Sequence, residues 1–150
     1  MTEMLFRADA YLRDAPARVT GLTEEGGVVL DASVFYPTGG GQPGDAGWLE
    51  WDTHRLPIAT TVKGQGDDMV LVPAEPQALP PLGAQGQQVL DWERRYRHMR
   101  VHTALHLLSV VLPFGVTGGQ ISATRGRLDL DMPEAPEDRD EVEEMLNVFV

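Results

Sequence analysis

Apolar and polar residues alternate through most of the first ninety positions. Arg18 to Asp31, RVTGLTEEGGVVLD, alternates around a Glu-Glu-Gly-Gly break and reads as a β-hairpin. Further strands are predicted at 46–51 (AGWLEW), 56–63 (LPIATTVK), 69–72 (MVLV) and 87–92 (QQVLDW), parted by the turn signals GQGDD and PAEPQALPPLG. Short strands at this spacing predict a small antiparallel barrel or sandwich over residues 1–91, with no helix in it.

The period changes at Trp92. Val101, Leu105, Leu108 and Leu112 are spaced 4, 3 and 4 apart, which makes one apolar stripe along a helix that Pro113 ends. VTGGQISA and RGRLDLDM follow as two strands, the second alternating Leu128, Leu130 and Met132 with Arg127, Asp129 and Asp131. Asp138 or Asp140 is placed to cap a last helix through EVEEMLNVFV, whose acidic first turn suits the helix dipole. A second, α+β domain is therefore expected over residues 92–150. A chain stopping inside a helix suggests truncation at residue 150.

Charge narrows the possible partners. The 150 residues carry 12 basic and 23 acidic side chains, a net charge of -11, which argues against a broad phosphate-binding surface. Four arginines nevertheless fall within seven positions, at Arg94, Arg95, Arg97 and Arg100. They form either a solvated helix face or a local grip on a phosphate backbone. There are no cysteines, so no disulfide framework exists. No apolar run is long enough to span a membrane and the first residues offer no secretory signal, so a cytoplasmic protein with no membrane association is expected.

Two motifs carry candidate chemistry. His102 and His106, in VHTALHLL, lie one turn apart on the same face of the predicted helix and can share a metal ion. Taken alone, the spacing more often marks surface or satisfied core residues. Thr103, not Glu, follows His102, so the helical zinc-protease pattern is absent. His98 extends the row by one turn, either as a substitute ligand or supporting group or, the favoured reading, as an exposed polar residue in a basic segment. The other motif is FYPTGGGQPGDAG at 35–47. Gly39, Gly40 and Gly41 either permit a wide turn or let backbone approach a substrate closely, while Gln42 offers an amide with donor and acceptor capacity. It is not a phosphate loop, because no Lys and hydroxyl follow it and Pro43 stands where a helix would start. Gln120, in TGGQISA, repeats the Gly-Gly-Gln text.

Taken in order, FYPTGGGQPGDAG, VLDWERRYRHMRVHTALHLL, GGQIS, RGRLDLD and EVEEMLNVFV resemble the free-standing alanyl-tRNA editing proteins of the AlaX family. They are also similar to the editing domain inside alanyl-tRNA synthetases. The resemblance implies an α+β protein in which a β-barrel-like amino-terminal domain precedes an editing domain of the threonyl/alanyl-tRNA synthetase type. It implies a hydrolase that deacylates tRNA for alanine mischarged with serine or glycine, and a partner in that tRNA's acceptor end. His102 and His106 match the first half of the family's zinc site. The second half is a Cys-x-x-x-His pair, for which this chain has neither cysteine nor a later histidine, so the remaining ligands of one Zn2+ are expected beyond residue 150. Leu105 stands where synthetase-embedded relatives often have threonine, and together with the start at Met1 this favours the free-standing group. Gln42 and Gln120 are expected in the catalytic pocket. Thr38, Gly40, Gly41, Thr103 and the four helix arginines are expected to bind substrate. The alternative is a metal-free tRNA-binding or interaction module that keeps the editing fold.

Overall fold

The computed structural model describes residues 1–149. In chain order the elements of the first part are β1 (Glu3–Met4), α1 (Leu5–Ala8), β2 (Asp14–Leu22), β3 (Val28–Leu30), β4 (Ala32–Ser33), β5 (Gly47–Trp51), β6 (His54–Lys63), β7 (Met69–Pro73) and β8 (Gln85–Leu90). They are followed by α2 (Trp92–Val111), β9 (Gly115–Ile121), β10 (Gly126–Asp131) and α3 (Arg139–Asn147). Two compact units result. One comprises residues 1–39 and 43–95, the other Gly40–Gln42 together with the described chain from Tyr96 onward.

In the first unit six antiparallel strands close into a barrel in the order β2-β3-β7-β6-β5-β8. The alternation that marks each strand in sequence becomes inside and outside. Gly47, Leu49 and Trp51 of β5 are buried while Trp48 and Glu50 between them are not. Leu30, Leu49, Leu56 and Leu71 line the core with Val28, Val34 and Phe35, and burying a side chain of that size contributes about 1.5–3 kcal/mol. The two-residue turn from β5 to β6 places Asp52 at φ 47, a conformation that Asp tolerates. The one departure here from the expected all-strand pattern is α1, a single turn that buries Phe6. Four residues are too few for a helical period to register in sequence.

The second unit is built on α2. The hairpin of β9 and β10 packs on it so closely that a Cβ on Gly126 would lie 2.9–3.0 Å from the Val101 and Leu105 side chains. The apolar stripe of α2 therefore has a partner in this hairpin. Register between the strands shifts at Asp129/Leu130, and with it the alternation expected for RGRLDLDM breaks. Asp138 caps α3, its carboxylate accepting from the amides of Asp140 and Glu141 at 2.9 and 3.1 Å. The helix expected to run to the last residue ends at Asn147, with Val148 as its C-cap.

Candidate active site

The base of the glycine loop is fixed inside the first unit. The buried amide of Gln88 accepts from the Val34 N–H at 2.9 Å and donates to the Ala32 carbonyl at 3.0 Å. The Asp45 carboxylate accepts from the Tyr36 N–H at 2.7 Å, and the Asp45 N–H returns a bond to the Tyr36 carbonyl at 2.9 Å. Thr38 is tied to β6 and to the loop itself, its hydroxyl donating to Thr61 and accepting from the Gly44 N–H at 2.9 Å. The loop thus leaves and re-enters the unit at defined points.

Between those points the tip belongs to the second unit. Gly40 and Gly41 take φ of 59 and 79, the left-handed region that glycine adopts without strain. The Gly41 carbonyl accepts from the Ile121 N–H at 2.8 Å. A Cβ on Gly41 would sit 2.6 Å from the Gly119 carbonyl oxygen, so no other residue fits. The close approach made by this glycine is to the backbone of β9.

That docking delivers Gln42, buried, to α2. Its Oε1 lies 2.9 Å from His102 Nδ1. An amide oxygen only accepts, so opposite Gln42 Oε1 the Nδ1 carries the proton and Nε2 keeps its lone pair, the tautomer that leaves Nε2 available to a metal. Burial, and after it the neighbouring His106, pushes the His102 pKa below its ordinary value, which keeps the ring neutral near pH 7. His102 and His106 stack with ring centroids 4.9 Å apart and planes 15° apart. Two imidazole nitrogens on one helix face fit a borderline-soft ion such as zinc. Among the described residues no group of three or more His, Cys, Asp and Glu is arranged to hold a metal.

The other candidates divide. Arg95 is 3% exposed; its Nε lies 3.2 Å from Asp45 Oδ2 and its Nη2 donates to the Val34 carbonyl at 3.3 Å. It is an internal tie of the first unit, as is Arg94, whose guanidinium reaches the Gly44 carbonyl at 3.5 Å. Arg97, Arg100 and Thr103 are exposed on α2, and Gln120 is exposed on β9. His98, expected at the surface, is buried.

No family model matches the chain. Among curated proteins it is 36% identical over 148 residues to the alanyl-tRNA editing protein AlaX-M of Methanosarcina acetivorans, covering 93% of this chain and 60% of the relative. The AlaX-M of Pyrococcus horikoshii is 35% identical over 141 residues, covering 89% and 62%. Over most of its length the chain is similar to the AlaX alanyl-tRNA editing proteins. It spans about 60% of the length of these AlaX relatives. It is also 34% identical, over 158 aligned positions covering 99% of this chain, to 17% of the alanine–tRNA ligase of Pyrobaculum arsenaticum.

Asp45 is the residue of this chain that sequence reasoning missed. Burial pushes its carboxyl up to about 6, with Arg95, the Tyr36 amide and Arg94 pulling the other way. An acid two residues past a glycine-rich loop reads as an ordinary turn residue. Its only sequence signal is a run of arginines in need of a counter-ion.

Proposed function

We propose that this chain supplies the metal-binding half of a site that hydrolyses the aminoacyl ester of tRNA for alanine mischarged with serine or glycine. The observation that carries the reading is the hydrogen bond from His102 Nδ1 to Gln42 Oε1, which orients a helix-borne imidazole as a ligand. His102 and His106 would hold one zinc ion, with further ligands from chain outside these 150 residues. When bound, zinc supplies a Lewis acid beside the ester.

The remaining roles belong to this chain's own groups. With Oε1 accepting from His102, the Gln42 amide nitrogen is left with two donors for a substrate oxygen. Gln120 provides a second amide and Thr103 a hydroxyl one residue past His102. The ester is already activated, so placing it and favouring charge on its carbonyl oxygen are the main demands on such a site. Arg97 and Arg100 would meet acceptor-stem phosphates. In the full-length protein His102→Ala and His106→Ala are expected to abolish both zinc binding and deacylation of Ser-tRNA. Unchanged turnover in both variants would overturn the reading. A full-length protein that binds tRNA but holds no zinc and leaves the ester intact is the metal-free module.

A further inference from the structure

A second feature of the α2 unit borders the site above, sharing Gln120 with it and adding side chains not used there. Gln120, Ile121, Ser122, Arg125, Gly126 and Arg127 line an open cavity of about 460 Å³ at the turn of the β9–β10 hairpin. The turn is tied shut. The Ser122 N–H donates to the Arg125 carbonyl at 2.8 Å, and the Ser122 hydroxyl donates to that carbonyl and accepts from the Arg125 N–H, both at 3.1 Å. Arg125 is thus anchored by its backbone at the rim, and its guanidinium has no ion-pair partner among the described residues. Arg127 stands opposite Gln120 in the strand register and shares its charge with Asp129, Nε to Oδ1 at 3.1 Å.

Two guanidiniums and one carboxylate leave the cavity with a net single positive charge in a chain of net charge -11. The cavity is joined to the histidines by short links. Ile121, on its wall, donates to the Gly41 carbonyl at 2.8 Å, and the next residue, Gln42, holds His102 at 2.9 Å. Gly126, on the opposite wall, packs on Val101 and Leu105, either side of His102 along the helix. An aminoacyl-RNA offers this cavity one kind of anion. Its amino acid carboxyl is esterified and its amino group is cationic, so the negative charge lies on phosphodiesters, one unit each.

We propose that this cavity binds a single phosphodiester of the RNA strand leading to the aminoacyl ester, with Arg125 as the principal contact, Arg127 as the second, and the Gln120 amide as a neutral donor. The proposal rests on the editing reading for the identity of the strand, and on the cavity's own charge and geometry for the anion. Planar guanidiniums suit the two oxygens of a phosphodiester, and a turn fixed before binding lowers the ordering cost.

The test compares substrates with and without phosphate on the full-length protein. Arg125→Ala is expected to raise KM for Ser-tRNA about tenfold with kcat unchanged. It should also make the dependence of log affinity on log salt about 0.7 less steep for a CCA trinucleotide. Hydrolysis of 3′-O-seryladenosine, which has no phosphate, is expected to stay at the wild-type rate, and Arg125→Lys to recover most of the lost affinity. Asp129→Asn, which releases Arg127 from its carboxylate, is expected to tighten trinucleotide binding. Unchanged KM and salt slope in Arg125→Ala, or an equal loss on seryladenosine, overturns the proposal. If the wild type hydrolyses neither ester yet Arg125→Ala still weakens trinucleotide binding, the editing reading falls and the phosphate site stands.

Discussion

In the barrel unit Val28, Leu30, Val34, Phe35, Leu56 and Leu71 are wholly buried, whereas in the α2 unit Val110, Phe114 and Val116 stand 62%, 40% and 55% exposed. The first unit closes its sheet on itself and leaves no long edge unpaired. The second rests on one helix, a two-stranded hairpin and α3. Stability and chemistry are therefore divided between them. A unit with few buried apolar side chains opens at lower free energy than one with a closed core, and it is this unit that carries the histidines, Gln42 and the arginine-lined cavity. The barrel's contribution to the site is indirect, through the hydrogen bonds that fix where the glycine loop leaves and returns.

That division can be broken most severely at Arg95. Arg95→Ala leaves the Asp45 carboxylate buried without its counter-ion, and removing one member of such a pair costs about 3–5 kcal/mol, measurable by urea unfolding. The same pair gives a pH signature. Because burial raises the folded-state pKa of Asp45 from 3.8 to about 6, the group contributes its full stabilisation below pH 3.8 and loses it as pH rises through 6. Asp45→Asn is expected to flatten the change in Tm over that window relative to wild type.

Next in size is the barrel core itself. Leu71→Ala is expected to cost about 2–5 kcal/mol, and unfolding followed by tryptophan fluorescence should report it, since Trp48 and Trp51 lie in β5. Gln42→Ala sharpens the comparison from the other side. It frees the His102 tautomer and should weaken zinc binding about 10- to 100-fold, by competition with a chelator, while barrel unfolding stays where it was. The smallest effect is expected for Val116→Ser on exposed β9, within about 0.5 kcal/mol of wild type. A large loss there would show that the α2 unit is held together by more than its hairpin and helix.

Most of the architecture was legible because its periods are strong. Strands of five or more residues with alternating burial, and a helix of 20 residues, leave a pattern in text. The single turn of α1 leaves none, and the bulge at Asp129/Leu130 is set by pairing with β9, which is tertiary information. The HxxxH pair was readable because four-residue spacing on a helix fixes a shared face. Asp45 and the burial of Arg95 were not, since a contact across 50 residues has no local signature. The arginines looked like one patch in sequence. In the structure Arg94 and Arg95 face the loop base, while Arg97 and Arg100 are exposed.

Gly40 to Gln42 are encoded among the barrel residues yet group with the α2 unit. Anyone dividing this protein for expression by drawing a single cut in the sequence, at residue 92 or 96, would obtain a piece that keeps both histidines and loses the amide that orients one of them. The working module is discontinuous along the gene. Rebuilding it would require grafting the three-residue tip onto the fragment, or adding it back as a separate peptide.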